Sequence, residues 1–195
     1  MPAKTRTDRV SEPRERLLRT ASTIFYTKGI HAVGVEEIVD TAEVTRSTLY
    51  RHFRSKEELV VAYLRAASQG ERSQVAALLT EDQSAADAVR TVARAVAGQI
   101  ANPMFRGCAF LNAAAEYPDP DHPVHQAILE HRQWYFDLVA AQMERLAGRP
   151  ARDAAEVFVL LRDGAMTAGC LADRERVTAS FLQGVDDLVL RVRAA

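Results

Sequence analysis

Apolar residues along this chain recur three and four positions apart in one segment after another, and no segment alternates as a half-buried strand requires. Leu17, Leu18, Ala21, Ile24 and Phe25 set the pattern; Leu59, Val60, Tyr63, Leu64 and Ala67 repeat it. That spacing puts each group on one side of a helix. The expected fold class is all-α. With 195 residues, 48% of them hydrophobic, and only nine glycines and seven prolines, the chain can bury one sizeable core or two small ones.

About nine helices are expected. Residues 1–10 read as a flexible, mostly basic arm, with Lys4, Arg6 and Arg9 against Asp8. Ser11 is placed to cap a first helix that opens on Glu12 and Pro13 and ends at Gly29. A short second helix covers 35–42 and a third 45–53. Ser55, with Glu58 three residues on, signals a capping box at the start of a fourth helix running toward Leu78. Five further helices follow: one capped near Ser84 and Asp87, one within FRGCAFLNAAAEY, and three over about 124–147, 152–171 and 173–193. The domains expected are the arm 1–10, a three-helix unit with the start of the fourth helix over 11–64, and a helical remainder over 65–195.

Net charge is −1, so the molecule as a whole carries no nucleic-acid signature. Its distribution is slightly uneven: residues 1–64 hold eleven Lys or Arg against nine Asp or Glu. Cys108 and Cys170 have neither C-x-x-C nor zinc spacing and are expected to be buried free thiols. No apolar stretch follows the charged N-terminal residues, and no apolar run approaches the ~20 residues of a spanning helix. A cytoplasmic protein without membrane partner is expected.

The segment VTRSTLYRHFRSKEEL, residues 44–59, carries the functional signal. Leu49 and Phe53 share one side of a helix; Thr45, Arg46, Ser47, Thr48, Arg51 and His52 fill the others, with Tyr50 beside the seam. Two short helices joined by a three- or four-residue turn, the second polar and basic on its outer face, fit a DNA-reading helix-turn-helix. Arg can take guanine O6 and N7 together, and Thr can meet the thymine methyl group or donate a hydroxyl. Lys56 stands in the first turn of the fourth helix, where the dipole disfavours a cation, and an anion docking there explains it.

Residues 14–64, through FYTKGIHAVGVEEIVDTAEVTRSTLYRHFRSKEEL, resemble the DNA-binding domain of the tetracycline-repressor (TetR) family of bacterial transcriptional regulators. The landmarks are the Phe-x-x-x-Gly turn, the Leu-Tyr-x-His-Phe segment and Ser-Lys-Glu-Glu-Leu. The resemblance makes Tyr50 and Lys56 phosphate contacts, and Thr45, Arg46, Ser47, Thr48, Arg51 and His52 readers of bases or nearby phosphates. Two positions depart from the pattern. Glu43 stands where the turn often has Gly, and Gly34 where the second helix is often capped by Ser or Thr.

The resemblance further implies a homodimer built on the last two helices, with Phe158, Leu161, Ala165, Ala168, Phe181, Val185, Leu188 and Val189 at the interface, binding a pseudo-palindromic double-stranded operator. It also implies a pocket for a small, largely apolar effector that releases the operator by displacing the fourth helix. Candidate pocket residues are Met104, Phe105, Cys108, Phe110, Leu111, Trp134, Tyr135 and Met166, with Asn112, Glu116, Tyr117 and Gln133 as polar groups. No cofactor is expected. Two other classes compete. One is a metal-dependent hydrolase using Glu116, Asp119, Asp121, His122 and His125, against which no H-E-x-x-H, G-x-S-x-G or P-loop occurs. The other is a helical protein-interaction adaptor.

Overall fold

The computed structural model describes residues 11–194, and the basic arm expected at 1–10 lies outside them. Among the described residues there are nine α-helices and no strand: α1 (Glu12–Lys28), α2 (Val35–Thr41), α3 (Arg46–His52), α4 (Lys56–Leu78), α5 (Ala85–Ala101), α6 (Ala109–Glu116), α7 (Pro123–Ala147), α8 (Arg152–Ala168) and α9 (Arg174–Ala194). The all-α expectation is met.

Hydroxyl caps set three of the starts. Thr45, Ser55 and Ser84 accept from the backbone N–H three residues on, satisfying a donor the helix leaves free. The box at α4 is offset by one residue, because Glu58 takes the N–H of Arg54 rather than that of Ser55. Ser11 sits at the N-cap position of α1 but makes no cap bond; its hydroxyl lies 3.3 Å from Nε2 of His52 instead. The α8 helix stops at Ala168, three residues before the expected end. Gly169 follows, where a Cβ would come within 2.8 Å of Ile100 and 3.0 Å of Phe105.

α1 packs on α2, α3 and α4, burying Leu17, Ala21, Ile24 and Phe25 against Ile38, Leu49, Phe53, Leu59 and Val60. In the second half α5 lies against α9 and α7, α8 against α9, and α4 against α7. The buried side chains form one contiguous core from Leu17 to Val192. The expected boundary at 64/65 therefore falls inside α4. Near its start Tyr63 meets the Phe25 ring of α1, with ring centres 5.8 Å apart, while Ser68 bonds His131 of α7. No helix among the described residues is long and apolar enough to cross a membrane.

Candidate functional site

α3 is only seven residues long, held down by Leu49 and Phe53, both buried. Thr45, Arg46, Ser47, Tyr50 and Arg51 are exposed; Thr48, His52 and Lys56 are partly so. The start of the helix is organised by its own hydroxyls. Thr45 Oγ1 accepts from the Thr48 N–H at 3.1 Å and lies 2.9 Å from both the Ser47 and Thr48 hydroxyls. Arg46 donates to Glu36 of α2 at 2.6 Å, with its guanidinium 5.8 Å from the centre of the Tyr50 ring. Both members of that pair are more than half exposed, so it is screened by solvent and gives way readily to a stronger anion. Sequence reading missed Glu36 because an acidic first turn is ordinary helix chemistry.

The α2–α3 turn contains the one non-glycine residue with positive φ among the described residues, Glu43 at φ 51°. The left-handed region costs a residue with a Cβ about 1 kcal/mol more than glycine. The departure at Glu43 is thus absorbed as backbone strain, with turn geometry kept. Glu43→Gly is expected to raise the melting temperature by about 2–4 °C, read by circular dichroism.

A cavity of about 260 Å³ opens between α1, α4, α5, α6 and α8. Of the expected pocket residues, Met104, Phe105, Cys108 and Phe110 line it. Leu111, Asn112, Glu116, Trp134, Tyr135 and Met166 do not. The wall also includes Tyr26, Glu71, Gln99 and Arg162, which sequence reading did not select. Arg162 is 5% exposed. It donates to Asp163 at 2.9 Å, its Nη2 lies 3.5 Å from the Cys108 sulfur and 3.8 Å from Glu71, and its Nε has no partner. Burial raises the Glu71 carboxyl above its ordinary range, an effect Arg162 partly offsets.

Behind the cavity His131 of α7 stacks on Phe110 at 3.6 Å and bonds Ser68 of α4 through Nδ1 at 3.0 Å. Burial, reinforced by the charges of Arg162 and Arg72, pushes its pKa down to about 3. Because the folded value lies below the ordinary 6.5, the unfolded chain binds more protons between the two. Its contribution to stability is complete above pH 6.5 and is lost as pH falls toward 3. His131→Gln should lower the slope of stability between pH 6.5 and 5 by up to about 1.4 kcal/mol per pH unit, measured by urea unfolding across that range.

Several expected residues have other work. Glu116, at the end of α6, accepts from the backbone N–H groups of Ile30 and His31 and so joins the second half of the chain to the α1–α2 turn. Tyr26 makes a parallel link, accepting from the Arg106 N–H and donating to the Gly107 carbonyl, both at 2.9 Å. Nδ1 of His122 caps α7, Nδ1 of His125 lies 2.6 Å from the Tyr117 carbonyl oxygen, and Asp119 turns back on the Asp121 N–H. The acidic and histidine group is thereby spent on loop geometry. Among the described residues no three such side chains converge to hold a metal ion. Cys108 is buried as expected, but Cys170 is exposed, because α8 has already ended and the chain turns at the surface.

Of the residues expected at a dimer interface, Phe158, Ala165, Phe181, Val185, Leu188 and Val189 are buried within the protomer; Leu161 and Ala168 are partly exposed. Helices that are apolar on more than one side present two candidate stripes, and the larger residues lie on the inward one. The outward side of α8 and α9 carries a groove formed by Leu160, Leu161, Gly164, Ala168, Val177 and Ser180, with Leu160 68% exposed.

Residues 17–63 match the family model described as bacterial regulatory proteins, tetR family. A solved TetR-family transcriptional regulator from Streptomyces coelicolor is 50% identical and superimposes with a TM-score of 0.90 over 93% of this chain and 96% of that one. The transcriptional regulator YjdC of Escherichia coli is 27% identical over 82% of this chain and 81% of its own length. The transcriptional activator FasR of Mycolicibacterium smegmatis is 49% identical over 53 residues, which are 27% of this chain and only 24% of that protein. The helix-turn-helix, the nine-helix architecture and near-full-length similarity to a solved regulator agree, and the chain belongs to the TetR family of transcriptional regulators, which bind DNA.

Proposed function

We propose that this regulator acts as a homodimeric repressor: residues 11–64 bind a pseudo-palindromic operator, and residues 65–195 dimerise and hold a small effector that releases the DNA. Thr45, Arg46, Ser47, Thr48, Arg51 and His52 read bases or adjacent phosphates, and Tyr50 and Lys56 grip the phosphate backbone. The observation that carries this reading is an exposed polar and basic α3 fastened to the core by Leu49 and Phe53 alone. Support for the dimer comes from Gly164. A Cβ there would meet nothing within 4 Å in the protomer, yet a glycine inside a helix costs about 1 kcal/mol relative to alanine. Close approach of a second copy gives that glycine a purpose.

The test is selection of bound duplexes from a random pool by the full-length protein. A palindromic consensus with half-sites about 34–36 Å apart, or a related spacing, is expected. Lys56→Ala should weaken binding evenly across sequences and reduce the salt dependence by about one ion, whereas Arg46→Ala should relax one position of the consensus. Gly164→Arg should leave a folded monomer that no longer selects the palindrome. Absence of any enriched sequence, with and without cell extract, would favour the adaptor reading.

A further inference from the structure

We propose that the ligand of the cavity beside α4 is a small monocarboxylate with an aryl or short alkyl body, its carboxylate received by the guanidinium of Arg162. The proposal rests on the reading that this regulator holds a small effector, places that effector in the cavity lined by Met104, Phe105, Cys108 and Phe110, and adds its chemical class. Three observations support it. First, Arg162 is a buried cation with five N–H donors and, within the protein, a single good charged bond, to Asp163. Its Nε is unpartnered, and Glu71 at 3.8 Å is beyond hydrogen-bond reach. A planar carboxylate is the group that matches such a fork.

Second, Arg162 is a cation that the neighbouring carboxylates match only in part. Asp163 is shared, since Arg132 also donates to it at 2.6 Å, and Glu71 stands 3.8 Å off. Guanidinium keeps its proton, so a cationic ligand would meet like charge. Third, the rest of the wall suits an apolar body: Phe105 and Phe110 are buried aromatic faces, and Met104, 69% exposed, stands at the rim. About 260 Å³ holds a ring or a chain of several carbons.

The same contacts suggest how the ligand is read. Glu71 and Ser68 lie on α4 and tie it to Arg162 of α8 and His131 of α7. A carboxylate on Arg162 competes with Glu71 for its cation, loosening α4, whose first residue is Lys56.

The experiment titrates the full-length protein with 3-phenylpropanoate, its amide and 3-phenylpropylamine, and with octanoate, octanamide and octylamine, following calorimetry and Trp134 fluorescence. In at least one series the carboxylate should bind at least tenfold tighter than its amide, with the amine weakest. Arg162→Lys, which keeps the charge but loses the fork, should weaken carboxylate binding at least tenfold. Glu71→Gln removes the competitor and should strengthen it. Equal binding of amide and carboxylate, preference for the amine, or weaker carboxylate binding by Glu71→Gln overturns carboxylate recognition while leaving the cavity as an effector site. If none of the six binds to a protein that still selects its operator, carboxylate recognition falls.

Discussion

Phe53→Ala is expected to lower the free energy of unfolding by about 3–5 kcal/mol, a large share of the roughly 5–15 kcal/mol typical of a folded domain. Phe53 is 1% exposed and closes α3: its N–H donates to the Leu49 carbonyl at 2.8 Å, and Arg14 of α1 lies 5.0 Å above its ring. Removing the ring leaves a cavity where α3 meets α1, beside a helix of seven residues that is far too short to persist unaided. Operator binding should therefore be lost together with stability. Tyr50→Phe supplies the contrast. Tyr50 is exposed, so deleting its hydroxyl should change stability by less than about 0.5 kcal/mol while weakening DNA binding. Urea unfolding and duplex titration of the two variants separate a residue that builds the reading helix from one expected to use it. A cost below about 1 kcal/mol for Phe53→Ala would remove the argument that two anchors hold α3.

The reading unit was legible because its information is local. The Ser55 cap, the anchors Leu49 and Phe53 and the exposed polar positions all fall within a dozen residues, and helix periodicity sorts inside from outside directly. Even the Glu43 turn could be anticipated, since only glycine adopts positive φ freely. The cavity was half legible. Its aromatic and sulfur side came from one stretch, Met104 to Phe110, but Tyr26, Glu71, Gln99 and Arg162 arrive from four other helices, and no spacing in the sequence predicts that meeting. Arg162 did leave a signal. Phe158, Val159, Ala165 and Met166 surround it at three and four positions and are all buried, so the period alone puts a cation on the inward face of α8. Glu116 illustrates the opposite case. A carboxylate at a helix end looks like a pocket group in sequence, and only the fold reveals that it holds the Ile30 and His31 amides.

Arg162→Met should be about as damaging as the loss of Phe53, by a different mechanism. Withdrawing one member of a buried charged group leaves the others uncompensated, typically at a cost of about 3–5 kcal/mol. Asp163 keeps Arg132 at 2.6 Å and is buffered; Glu71 has no second cation within salt-bridge reach except a histidine that burial keeps neutral. Glu71 should then escape by protonation. Its folded pKa is already raised by burial, so the folded chain binds more protons than the unfolded chain above the ordinary carboxyl range, and stability falls as pH rises through that window. Losing Arg162 raises the folded value further, and the penalty of Arg162→Met should grow as pH rises above the ordinary carboxyl range. Adding Glu71→Gln supplies the neutral group that protonation would have made. The double variant should be more stable than Arg162→Met alone, with a coupling of about 0.5–3 kcal/mol in a cycle of urea unfolding measurements. Additive costs, or a penalty independent of pH, would mean that Arg162 and Glu71 do not sense one another across 3.8 Å. Coupling between them ties α8 to the helix that carries Lys56, because the interaction that stabilises the second half of the chain is then the same one an anion in the cavity would have to break.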